Sequence, residues 1–387
     1  MLATERRINT AQLFTVVFIL GMSLKMLMLP VLLLKAMGRD SVLGLSAILL
    51  SELICLGACI AAIVLAPEKS FTELLEGCVG KIAARAVLAL FAVYFLFKLL
   101  LLSGEVRIFF CENLFGEFPW TLYSLPFFGL CVVMGMGSLR ALGRCAQFLF
   151  PFIAVATVVM FVLIASGIDF RESFPIGEFG FANISRGTLR YAMWYGDYSA
   201  LVVCLGAVKR TRKTAALSIT AGVISSLSAL FYMFGLTASF SNVCFLIRYG
   251  QNVTGMSHYA LGNVMQGRFD LVLFCLWMIS VFVKAGLFSY AVVFCIRAVV
   301  PVGRAPVALG VGVVLYIATL FVPSAVGLHV FMTEYMFVPA LIFQFATPAL
   351  MLVVSLIGRR RAKCRASDRS ARMPQEPDKE GEPREEK

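Results

Sequence analysis

Ten long apolar runs fill most of this 387-residue chain. Crossing a bilayer's hydrocarbon core takes about 20 apolar residues in a helix. The runs centre on 11–34, 41–65, 86–110, 119–137, 146–166, 188–208, 215–238, 270–296, 306–323 and 335–357. In lipid every backbone N–H and C=O must be bonded internally, and runs of this length meet that demand as helices. With 60% hydrophobic and only 14% charged residues, the composition excludes the soluble classes. The expectation is an all-α integral membrane protein with ten transmembrane helices, residues 1–357 forming one polytopic transmembrane domain in contact with membrane lipid.

The charges between the runs alternate in density. Arg6, Arg7, Lys69, Lys81, Arg85, Arg140, Arg144, Lys209, Arg210, Arg212, Lys213, Arg297 and Arg304 fall on one side. The positive-inside rule makes that side cytoplasmic and places both termini there. The bias accounts for the net charge of +12 without a nucleic-acid partner. Arg6 and Arg7 resemble the start of a signal peptide, but the run that follows is too long and carries Lys25, so it reads as a retained first helix. Residues 358–387 mix both signs with Pro374, Pro377 and Pro383, and read as a disordered cytoplasmic tail. The eleven cysteines are scattered, without metal spacing or a disulfide pattern. Neither metal nor cofactor is expected.

The spans divide into two sets of five, and the first span of each set is interrupted. Gly21-Met22-Ser23-Leu24-Lys25, closed by Pro30, breaks span one, and Tyr191 to Asp197 breaks span six. Paired interruptions of this kind mark transporter binding sites, where unwound backbone lines a cavity. Freed N–H groups near Gly21 suit a carboxylate, Gly21 lets the backbone come close, Ser23 adds a hydroxyl, and Met22 lies between them as a further candidate contact. Between spans two and three, Ser70 and Glu73 have capping-box spacing, and Phe71, Leu74, Leu75, Cys78, Val79 and Ile82 follow helical spacing. Two readings stand there: a short amphipathic helix at the cytoplasmic interface, or an extension of span three.

Lys25, Glu52, Lys98, Glu105, Asp197 and Lys284 fall inside spans. Each costs about 2.5–3.5 kcal/mol at the bilayer centre if left alone. Each must therefore pair, face water or serve a function. Asp197 beside Gly196, with Tyr191, Trp194 and Tyr198, offers a carboxylate to a substrate ammonium, a sodium ion or a proton; the alternative is an interfacial aromatic belt. Lys284 is either a cation substitute or proton carrier or a structural tie to a carboxylate. Lys98 lies one turn after Tyr94 and shares a face with Glu105, but at ~10 Å along the axis the two cannot pair directly. Glu52 is a proton site or the partner of a base such as Lys25. Tyr94, Tyr191, Trp194, Gly196 and Asp197 join Gly21–Ser23 as candidate ligand contacts. Lys25, Glu52, Lys98 and Lys284 are the candidates for ion or proton coupling. His258 and His329 fall in expected external loops, and no HExxH or paired acidic motif is present; the chain does not read as an enzyme.

Several segments carry a likeness. Ile8 to Gln12 enters span one, Gly21 and Leu29-Pro30 lie within it, and Gly137 to Arg144 makes a turn before Pro151. Gly267-Arg268-Phe269-Asp270 leads to Trp277 and Phe282-Val283-Lys284. In these the chain resembles the B subunit of spore nutrient-germinant receptors, permeases of the amino acid–polyamine–organocation superfamily. The resemblance implies a five-plus-five inverted-repeat, LeuT-like fold with helices one and six broken. It implies an amino acid or similar nutrient bound between spans one, three, six and eight. It further implies an A subunit and a C-subunit lipoprotein as partners, in the spore inner membrane or cell membrane. Lys25 departs from the pattern and argues against a pocket tuned for a simple neutral amino acid. The alternative is a proton- or sodium-coupled amino-acid transporter of the same superfamily.

Overall fold

The structure is a computed structural model that describes residues 7–27, 29–66, 68–110, 119–165, 177–178, 180–240, 269–322 and 325–372. His258, most of the two long polar loops and the side chain of Trp277 lie outside the described residues. Among the described residues there is no β-strand, only an isolated parallel bridge between Ile8 and Val208.

The first expected span is two helices, α1 (Thr10–Leu27) and α2 (Leu29–Met37). Helix α1 continues straight through Gly21–Lys25, without the expected unwinding there; residue 28 lies outside the described residues. Pro30 lies within α2, as Pro126, Pro151 and Pro348 lie within later helices. Gly21 does not unwind the helix. A Cβ there would fall inside contact distance of Ser225 Oγ and the Tyr198 hydroxyl, so the glycine allows close packing.

Helix α3 (Ser41–Leu65) returns to the starting face, and α4 (Phe71–Val79) follows. Ser70 and Glu73 form a complete capping box, and Gly80, at φ 85°, ends α4 before α5 (Lys81–Phe110) begins. The short amphipathic helix is therefore a separate element, not an extension of the third span. Helices α6 (Trp120–Met136) and α7 (Leu139–Ala165) come next, then α8 (Phe181–Arg190). Two 3-10 turns, Ala192–Trp194 and Asp197–Cys204, lead to α9 (Thr214–Phe240). The chain finishes with α10 (Phe269–Val299), α11 (Arg304–Phe321), α12 (Ala325–Glu334) and α13 (Phe337–Arg372).

Seven helical stretches among the described residues are long and apolar enough to cross a membrane, and Thr10–Ser23 and Leu122–Met136 are apolar but shorter. The expected sixth span is not a smooth helix but α8 followed by the two 3-10 turns. Helix α10 is central: 78% of the apolar window within Met278–Val299 is buried, and it packs on α1, α5, α6 and α7. Helices α7 and α11 lie at the periphery, with only 28% of their windows buried. Ile8 donates to the Ala207 carbonyl at 2.9 Å and accepts from Lys209 at 2.8 Å, and Arg7 grips Glu68 at 2.8 and 3.0 Å. The N-terminal segment, the end of α3 and the turn before α9 thus share one face.

The expected disordered tail is corrected in its first part. Helix α13 runs on to Arg372, and Arg361 donates to the carbonyl of Gly77 in α4. Arg359, Arg360, Arg361, Ala362 and Lys363 are good helix formers, and a helix already nucleated in the membrane extends through them at little cost.

Candidate functional site

The site is built on the interruption between α8 and α9. Gly196 holds φ 79° in the left-handed region, which costs an L residue roughly 1–2 kcal/mol, and the Gln344 side chain lies 3.2 Å from where a Cβ would sit. An interrupted helix exposes backbone groups that are costly to leave bare in a dry interior. Here buried charges from other helices take them. Lys98 Nζ of α5 donates to the carbonyls of Met193 at 2.7 Å and Tyr195 at 2.6 Å. Glu52 of α3 accepts from the Gly196 N–H at 2.8 Å. The Trp194 indole N–H donates to Glu105 Oε1 at 2.6 Å, and the Tyr195 hydroxyl to the Thr188 carbonyl at 2.8 Å.

Asp197 follows directly and is held from two sides. Lys98 Nζ lies 3.1 Å from Oδ1, and Lys284 Nζ of α10 lies 2.5 Å from Oδ2. Glu52 pairs in turn with Lys25 of α1. Lys25, Lys98, Lys284, Glu52 and Asp197 are all fully buried. With all five ionised, three ammonium groups face two carboxylates and the cluster carries one excess positive charge. No helix bears two of these groups. The cluster therefore ties α1, α3, α5, α10 and the interrupted segment into one electrostatic unit.

The sequence-predicted residues fall into two groups. Gly196, Asp197, Glu52, Lys98, Lys284, Lys25 and Trp194 are brought together. Lys25 pairs with Glu52, and Lys284 is tied to a carboxylate; both had stood as one of two readings. The α1 residues reach the site through Tyr198: Gly21 abuts its hydroxyl, and Lys25 Nζ lies 5.3 Å from its ring centroid. The Met22 sulfur accepts from the Thr157 hydroxyl at 3.7 Å, so Met22 faces α7 instead of Asp197. The Ser23 hydroxyl is buried and has no hydrogen-bond partner among the described residues. Tyr94 lies 5.7 Å beneath Lys98 Nζ and stacks on Phe343 with centroids 4.5 Å apart. Tyr191 stands at the rim, edge-on to Trp194 at 5.8 Å.

His329 departs from the expectation of an external loop. It sits in α12, buried, with Nε2 2.7 Å from Glu105 Oε1 and its ring 5.2 Å from Trp194. The apolar residues around it, Leu328, Val330 and Phe331, were the signal for a helix. The polar residues beyond them obscured it. Ser225, whose hydroxyl lies 3.5 Å from that of Tyr198, carried no sequence signal at all.

An interrupted segment pinned by buried charges inside an all-helical apolar bundle defines an integral membrane protein of LeuT-like fold. Three solved structures share that fold. Mhp1, a nucleobase-cation-symport-1 family transporter in a closed conformation with bromovinylhydantoin bound, matches at TM-score 0.52 and 16% identity, over 95% of this chain and 93% of its own. MhsT in complex with L-phenylalanine matches at 0.60 and 11%, over 92% and 100%, and inward-facing Mhp1 at 0.55 and 15%, over 92% and 78%. No curated protein matches the sequence. A family profile for spore germination protein, a spore permease, matches residues 7–325, and the chain belongs to that family. This bears out the resemblance to germination permeases and places the protein among permeases, not enzymes.

Proposed function

We propose that this protein is the membrane subunit of a nutrient-germinant receptor, and that it senses an amino acid or similar small nutrient at the Tyr191–Asp197 interruption. One observation carries this reading: buried side chains from other helices hold the Met193, Tyr195 and Gly196 backbone groups and the Asp197 carboxylate. Lys98 and Lys284 stand where a ligand ammonium or a sodium ion would stand against Asp197. A ligand must take over some of these contacts, and each exchange frees one helix from the segment. Binding is thereby converted into a change in helix packing, which requires only that the ligand favour one arrangement over the other. The single excess positive charge favours a ligand that brings a carboxylate, and the bare Ser23 hydroxyl offers it a hydrogen bond.

On this reading the protein works in the spore inner membrane or cell membrane with its termini in the cytoplasm. It passes its change of packing to an A subunit and a C-subunit lipoprotein. The test is thermal stabilisation of the purified protein by a panel of amino acids, since a ligand that binds only the folded state raises its apparent stability. A stabilising amino acid whose effect disappears in Asp197→Asn supports the site. An equal effect in both proteins refutes it. Net uptake of that amino acid into liposomes would mark a coupled transporter instead of a sensor.

A further inference from the structure

A cavity of about 250 Å³ opens beyond the site, at the end of α5 away from Lys81. It is lined by Leu32, Ile108, Arg190, Tyr191, His329, Val330, Thr333 and Glu334. Its volume is that of roughly eight water molecules in the liquid, enough for a compact amino acid. Trp194, completely buried, touches two of its wall residues, Tyr191 and His329, edge-on, and its indole N–H donates to Glu105. None of the lining residues belongs to the Asp197 cluster, so the cavity and that cluster are distinct places.

The wall chemistry is specific. Arg190 ends α8, Glu334 ends α12, and the two form a half-exposed ion pair at the cavity. A guanidinium presents a planar fork that matches a carboxylate, and a carboxylate suits an ammonium. Leu32, Ile108 and Val330 supply an apolar wall. Binding pockets characteristically combine such a wall with a few placed polar groups. A molecule with one carboxylate and one ammonium, inserted between Arg190 and Glu334, gives each residue the kind of partner it already has.

We propose that this cavity is a second binding site for a zwitterionic α-amino acid, with Arg190 taking the carboxylate, Glu334 the ammonium, and Leu32, Ile108 and Val330 the side chain. The proposal rests on the reading of a small-nutrient ligand, but not on the Asp197 site. The site holds the ligand beside Tyr191 and His329, the wall residues that touch Trp194.

The test places a cysteine at Thr333 in the full chain and follows its reaction with a small charged thiosulfonate, above the wild-type background. Each of the twenty L-amino acids is offered in turn. At least one slows labelling tenfold or more, while its des-amino and decarboxylated analogues do not. Adding Arg190→Gln or Glu334→Gln raises the concentration needed for protection at least tenfold. Adding Asp197→Asn leaves protection in place. Protection by none of the twenty overturns the proposal, and so does protection unchanged by both charge substitutions. Protection lost in Asp197→Asn but unmoved by the two charge substitutions also overturns it, leaving the inner site standing. Protection that needs Arg190 and Glu334, together with an Asp197→Asn protein stabilised like wild type, supports the outer site and removes the inner one.

Discussion

Replacing Asp197 by Asn tests the buried cluster with a change of one oxygen to an amide nitrogen. The shape is kept and the charge is lost. Lys98 retains the Met193 and Tyr195 carbonyls at 2.7 and 2.6 Å, so it remains partly solvated by backbone. Lys284 does not. Among the described residues its ammonium donates only to Asp197, at 2.5 Å, and the residue is fully buried. Breaking a buried pair by removing one partner costs about 3–5 kcal/mol, because the remaining charge is uncompensated. That corresponds to a fall in apparent melting temperature on the order of 10 °C, measured on purified protein in one detergent. Replacing both partners by residues of similar shape is close to neutral for many buried pairs. The Asp197→Asn, Lys284→Met double variant should therefore recover at least half of the loss, a coupling that a double-mutant cycle isolates. A single variant within about 2 °C of wild type, or a double variant as unstable as the sum of the two singles, would refute the reasoning.

Three further outcomes follow from particular contacts. Gly21→Ala drives a methyl into Ser225 Oγ and the Tyr198 hydroxyl; overpacking of this kind costs about 1–3 kcal/mol, and Ser225→Ala restores part of it in a thermal melt. Gly196→Ala places a side chain at φ 79° and should cost roughly 1–2 kcal/mol from backbone strain alone, with loss of any ligand stabilisation that depends on the segment. At the exposed face, Arg7 holds the Glu68 carboxyl below its ordinary range by hydrogen bond and charge. The contribution is present above the ordinary carboxylate pKa near 4.5 and fades as pH falls through the lowered value. Arg7→Ala should thus differ slightly from wild type at pH 7 and low salt, and the difference should shrink as pH falls through the lowered Glu68 value or as salt rises.

Much of the fold was written in hydropathy. A run of 20 apolar residues has few alternatives in lipid, and the capping box at Ser70–Glu73 marked the start of α4, although the expected face ran past its end at Val79 to Ile82. The second interruption was equally legible, because Asp197 puts a carboxylate into an apolar run directly beside the permissive backbone of Gly196. At Gly21–Lys25 the chain stays helical instead of unwinding, because glycine in a membrane helix serves close packing as readily as unwinding. The six buried charges could be named from sequence, but not paired. Pairing depends on helix rotation and on contacts between residues as far apart as Lys98 and Asp197 or Lys25 and Glu52. Periodicity along one helix carries no information about those. His329 was hidden for the same reason: α12 is short, and its partner Glu105 lies far earlier in the chain.

The central claim is that a ligand binds at the interrupted segment by taking contacts from Lys98 or Lys284. A cryo-electron microscopy map of the protein with an amino acid chosen by the stabilisation panel tests it most directly. The account predicts ligand density within hydrogen-bond distance of the Met193–Asp197 segment, with at least one lysine moved off Asp197. Density elsewhere, with both lysines still on Asp197, would contradict it.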